Sequence, residues 1–164
     1  MSGHVMFEVE DAEGAIAMSE VRSVQPHGRP RGRAALGWGV LVGVLQSASP
    51  LAFWWLDPAT VYAVGLAVIA PVYIGLAVAD GRWRVIAVES VVAMAFVVIA
   101  LVGITGSAWF LVLGFAAHGV KDAWQEHRQY VSGTRWWPPF CVAVDAVVAV
   151  AIAAAIAIGV DLQG

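Results

Sequence analysis

Five long stretches of the chain lack the apolar/polar alternation of a soluble fold. They run from Ala34 to Leu56, Val61 to Ala79, Val85 to Ile104, Ser107 to Arg128 and Pro138 to Val160, the fourth turning polar in its second half. Each reaches roughly 20 residues, the length a helix needs to cross about 30 Å of hydrocarbon. The runs are continuously apolar rather than alternating, which excludes a closed β-barrel. The pattern predicts an all-α fold: a bundle of five transmembrane helices joined by short loops, preceded by a tail over residues 1–33.

The tail runs acidic first (Glu8, Glu10, Asp11, Glu13, Glu20) and then basic (Arg22, Arg29, Arg31, Arg33). It reads as disordered and cytoplasmic, with a brief helix around Ala12 to Val21. No apolar core follows a basic start, and no small-residue cleavage site precedes the first run, so it does not read as a cleaved signal peptide. Its arginines suit anionic headgroups, each contributing on the order of 1 kcal/mol.

Composition strengthens the membrane assignment. The chain is 60% hydrophobic and 13% charged, with a mean hydropathy of +0.79, whereas a soluble domain carries about a quarter charged residues. The distribution of charge then sets an orientation. All nine Lys and Arg residues fall in the tail, in the turn at Arg82 and Arg84, or between Lys121 and Arg135. Five crossings place these three intervals on one side, while the loops at Asp57–Thr60 and Thr105–Ser107 and the last four residues carry no basic group. By the positive-inside bias, the amino terminus is cytoplasmic and the carboxyl terminus lies outside a plasma (inner) membrane. Tryptophans agree: Trp54, Trp55 and Trp109 mark the outer boundary and Trp83, Trp124, Trp136 and Trp137 the inner one. Trp38 belongs to neither belt.

Small residues suggest where helices meet. Gly39-x-x-x-Gly43 in the first run and Ala149, Ala153 and Ala157 in the fifth permit close backbone approach. Pro50 and Pro71 predict kinks in the first two helices. The single cysteine, Cys141, excludes an intrachain disulfide framework and reads as a small buried residue. There is no internal repeat, and an odd helix count argues against a simple inverted-repeat transporter.

Candidate chemistry is confined to four ionisable residues inside the runs: Glu89, His118, Asp122 and Asp145. At about 1.5 Å of rise per residue, Glu89 lies roughly 6 Å and Asp145 roughly 10 Å from the inner boundary, with His118 near the midplane and Asp122 roughly 6 Å inward of it. All share the inner half. His118 and Asp122 are i, i+4 neighbours on one helical face, and a carboxylate beside an imidazole fixes its tautomer. A charge at this depth costs at least ~2.5 kcal/mol if unpaired. These groups should therefore face inward and pair with one another, with Lys121 or with Ser90, forming a polar pocket open to the cytoplasm. The set suits a proton, a cation or a small polar ligand. If a metal binds, His118, Asp122 and Asp145 are its ligands, with Glu89 a further oxygen donor, although no paired-histidine spacing supports it. His127 lies on the opposite face of its helix and reads as a solvated interfacial residue.

The segment His118-x-x-x-Asp122-x-Trp124-Gln125, followed by Thr134-Arg135-Trp136-Trp137-Pro138-Pro139-Phe140-Cys141 and Asp145, resembles small multi-pass membrane proteins of bacteria. The resemblance spans Gly114 to Asp145 and brings no activity with it. The chain does not resemble the small multidrug-resistance exporters, whose carboxylate lies in the first of four helices.

Soluble-enzyme chemistry finds no support: there is no phosphate loop, dinucleotide fingerprint or nucleophile elbow. No cofactor is indicated. The few basic residues follow topology, which argues against nucleic-acid binding. The leading expectation is a binding or transport component using the polar pocket. An accessory subunit docking through its Gly/Ala faces into a larger complex or homo-oligomer comes second, and an intramembrane enzyme third.

Overall fold

The structure, a computed structural model, describes residues 30–131 and 136–164. The rest of the tail, with the helix expected around Ala12, and the basic turn at Ser132–Arg135 lie outside the described residues. Within them every regular element is helical: α1 (Pro30–Ala52), α2 (Pro58–Ile69), α3 (Val72–Asp80), α4 (Trp83–Thr105), α5 (Trp109–Arg128) and α6 (Trp137–Ala157). Taking α2 and α3 as one stretch, four helices are long and apolar enough to cross a membrane, which marks an integral membrane protein. Without water, a helix is the one open segment that satisfies its own backbone groups. The fifth expected span, α5, has 20 residues, enough for about 30 Å. Its second half carries Lys121, Asp122, Glu126 and Arg128, so it is less apolar than the other four.

Local sequence explains where the helices stop. The expected first helix, Ala34 to Leu56, instead begins at Pro30 and ends at Ala52, beyond which Phe53–Trp55 turn back and Leu56 N–H donates to Phe53 O at 2.9 Å. Pro50 does not break this helix. Proline removes the N–H that would bond the carbonyl four residues earlier, and that carbonyl, Gln46 O, accepts from Ser49 Oγ at 2.6 Å instead. Pro71 has no such substitute, and the second span breaks there into α2 and α3, as its sequence predicts. Gly81, at φ +76°, then closes α3 in a left-handed conformation that glycine adopts without strain.

The helices alternate in direction. α1 and α6 run parallel in close contact: a Cβ on Gly39 would meet Phe140 O and, at 2.7 Å, Ala143 Cβ, and one on Gly43 would lie 2.8 Å from Val147 Cβ. The glycine motif is therefore an internal packing face. Its partner surface is Phe140, Ala143, Val144 and Val147. α4 and α5 are antiparallel, with Glu89 beside Gln125 near one end and Gly103 against Leu111 near the other. At the first end, Arg82 Nη2 donates to Tyr130 O at 2.6 Å. At the opposite end, Leu162 O accepts from Ala59 N–H at 2.8 Å, and Gln163 reaches the carbonyls of Gly103, Ile104 and Gly106.

The main core joins α2, α4, α5 and α6 through Leu66, Phe96, Leu111, Phe115, Val148 and Ile152. A smaller cluster of Tyr73, Ala77, Val85 and Val131 lies near the Arg82 end. Between α1 and α2 an apolar groove of about 420 Å³ opens, floored by Phe115, Phe140 and Val144. The polar residues lie between the two cores.

Candidate functional site

The inward face of α5 determines the site. Leu111, Phe115, His118, Asp122 and Gln125 follow at intervals of three or four, so they form one stripe along the helix, and all are buried. The stripe changes from apolar to polar at His118. A helix flanked by hydrocarbon turns such groups toward its neighbours, because lipid offers them no partner. α4 and α6 supply those neighbours.

Two small networks result. In the first, His118 Nδ1 lies 2.8 Å from Asp145 Oδ2 on α6 and 3.3 Å from Asp122 Oδ2 one turn along α5. All three residues are 0% exposed. One potential ligand atom from each falls within 4.8 Å of the others. Gly119 makes this approach feasible: a Cβ there would sit 3.2 Å from Asp145 Cβ. The Phe96 ring packs edge-on against the imidazole, 4.9 Å between centroids.

In the second network, Glu89 of α4 receives Lys121 Nζ at 2.8 Å and Gln125 Nε2 at 2.5 Å. Lys121 Nζ also lies 3.7 Å from the centroid of the buried Tyr73 ring, a cation–π contact. The four candidate residues are thus all buried, but Glu89 belongs to a different network from the other three. The expected pairing with Ser90 does not form, since its hydroxyl donates to Ile86 O on its own helix. His127 is exposed on the far side of α5. Cys141 is buried, within electrostatic reach of Asp122 and Asp145.

Sequence reasoning passed over Gln125 and Tyr73. Gln125 had a signal, seven residues beyond His118 on the same face. Tyr73 had none, because only the break at Pro71 and the packing of α3 against α4 bring it beneath Lys121.

The expected opening toward one side is absent at this cluster among the described residues. Tyr73, Ala77, Val85 and Val131 close the bundle between the polar layer and the Arg82 end. The side chains of the first network are in direct contact, His118 Nδ1 lying 2.8 and 3.3 Å from the two carboxylates. That network is also unbalanced. Glu89 has an ammonium partner, whereas Asp122 and Asp145 share one imidazole. Asp122 Oδ1, Asp145 Oδ1, His118 Nε2 and the Tyr73 hydroxyl are buried without a well-formed hydrogen bond, and Asp122 Oδ2 has the 3.3 Å contact with the imidazole. Buried carboxylates without compensating donors are costly, and a cation among them would offset that cost.

The chain matches no protein-family model, no curated protein and no solved structure in the comparisons made.

Proposed function

We propose that this protein crosses the plasma (inner) membrane five times, amino terminus inside, and binds or moves a cation at the His118–Asp122–Asp145 cluster. The observation that carries this reading is the surplus of buried negative charge there. Two carboxylates face a single imidazole, and one oxygen of each has no hydrogen-bond partner. A proton or a metal ion satisfies those oxygens; a larger polar ligand does not fit among three fully buried side chains. The Glu89–Lys121–Gln125 network adjoins the cluster and assists by holding its own charge balanced. α5 then crosses the membrane despite its polar half, because that half faces protein.

The accessory-subunit alternative loses its main surface, since Gly39 and Gly43 already hold α6. For an intramembrane enzyme, Ser90 is not an activated nucleophile, its hydroxyl donating to Ile86 O within its own helix.

The test is thermal unfolding of the purified full chain in mild detergent across pH and across monovalent and divalent cations. A cation that binds only the folded state raises the midpoint. The wild type should respond to at least one cation or to pH, and Asp145→Asn and His118→Gln should lose that response. Identical behaviour of all three proteins under every condition would refute the reading.

A further inference from the structure

The cluster's donor set identifies the cation further. Resting on the cation-site reading above, we infer that His118 Nδ1 and one carboxylate oxygen each from Asp122 and Asp145 hold one divalent transition-metal ion of the zinc class. Three independent features lead there.

The first is charge. Glu89 has its counter-charge in Lys121 Nζ at 2.8 Å, so the uncompensated groups are Asp122 and Asp145. With the imidazole neutral, as a ligand must be, their two negative charges equal the charge of one divalent ion. A single proton shared with His118 leaves one carboxylate uncompensated.

The second is donor type. One imidazole with two carboxylates suits borderline metals such as zinc, nickel or ferrous iron, whereas all-oxygen sets suit magnesium, calcium and manganese, and thiolates or thioethers suit cuprous copper. Cys141 falls outside the group of three.

The third is geometry together with unused donors. Tetrahedral ligands about 2.0 Å from zinc lie about 3.3 Å from one another. His118 Nδ1 is 3.3 Å from Asp122 Oδ2 and 2.8 Å from Asp145 Oδ2, so the second pair must separate by only about half an ångström on loading. Asp122, 0% exposed, has Oδ1 without a hydrogen-bond partner and Oδ2 only 3.3 Å from the imidazole. A carboxylate buried at such cost and held this weakly beside an imidazole has an oxygen free to take a metal.

Three protein ligands leave a coordination position open. Structural zinc sites are closed by four protein ligands, whereas open sites hold a water or a substrate group in the fourth position.

The test uses the full chain in detergent, stripped with chelator and returned to Zn2+ alone. The expected result is one zinc per chain. Asp122→Asn and Asp145→Asn should each weaken binding by at least about 100-fold, more than loss of an outer-sphere partner costs. His127→Ala, which removes an exposed imidazole, should leave it unchanged. Zinc-edge X-ray absorption of the wild type reads the ligand set directly, even where a variant fails to fold: one imidazole and otherwise oxygen ligands are expected. A sulfur scatterer, two imidazoles, binding that survives Asp122→Asn, or no stoichiometric zinc would overturn the inference. If the wild type takes no zinc but its unfolding midpoint still follows pH or a monovalent cation through His118 and Asp145, the metal inference falls and the cation-site reading stands. If it responds to nothing, both fall.

Discussion

His118 Nδ1 lies 2.8 Å from Asp145 Oδ2 although 27 residues separate the two in the chain. One ring nitrogen joins α5 to α6 at the point where the apolar stripe of α5 turns polar. Asp145→Ala leaves the imidazole beside Asp122 alone and opens a gap at a fully buried position. Losing a hydrogen bond to a charged group typically costs about 1.5–3 kcal/mol, and thermal unfolding in detergent should show a loss of this order.

Asp122→Asn should behave in the opposite way. Asp122 Oδ1 lacks a hydrogen-bond partner and Oδ2 has only a 3.3 Å contact with the imidazole, so removing the charge relieves a desolvation cost in the metal-free protein. The midpoint without metal should stay level or rise, while zinc binding disappears. Stability and binding moving in opposite directions is the signature of a site. A purely structural network would lose stability with the charge.

Lys121→Met leaves Glu89 with Gln125 as its remaining polar neighbour. The expected loss is about 3–5 kcal/mol. The double variant Lys121→Met/Glu89→Gln should recover much of it, because neither charge is then stranded. A double-mutant cycle measures the coupling directly, and additive losses would show that the 2.8 Å contact carries no energy.

Gly39→Val and Gly43→Val place side-chain carbons where Phe140 O, Ala143, Val144 and Val147 already lie. Overpacking costs about 1–3 kcal/mol in a filled core. α1 packs chiefly on α6, so the expected result is protease sensitivity in α1 with zinc binding retained.

Orientation is tested on a Cys141→Ala background, since Cys141 is the single cysteine of the chain. Arg84→Cys and Ser107→Cys lie at opposite ends of the bundle. In right-side-out cells, an impermeant maleimide should label the second and spare the first. Labelling of both or neither would contradict five crossings with the amino terminus inside.

Much of the fold was legible because lipid simplifies the rules. An apolar run of about 20 residues has essentially one backbone solution when no water is present, so helix positions followed from hydropathy alone. Errors came at the ends, where local hydrogen bonding decides. Nothing in the run Ala34 to Leu56 announces a stop at Ala52, and the effect of Pro50 depended on whether Ser49 could take up Gln46 O. The site was legible in part for the same reason: Glu89, His118, Asp122 and Asp145 stand out against hydrocarbon by their cost. Gln125 sat in a stretch already polar and carried no such contrast.

From the sequence come the helical class, the strongly apolar spans, the four ionisable residues inside them, and the face common to His118 and Asp122, because hydropathy and helical period are properties of the chain itself. Which residue pairs with which was decided only by tertiary packing. Gly119 admits Asp145 to the histidine, and α4 brings Glu89 against Lys121 and Gln125, so one expected cluster became a balanced network and an unbalanced one. Contact between helices depends on the shapes of several surfaces at once, and no local pattern encodes it.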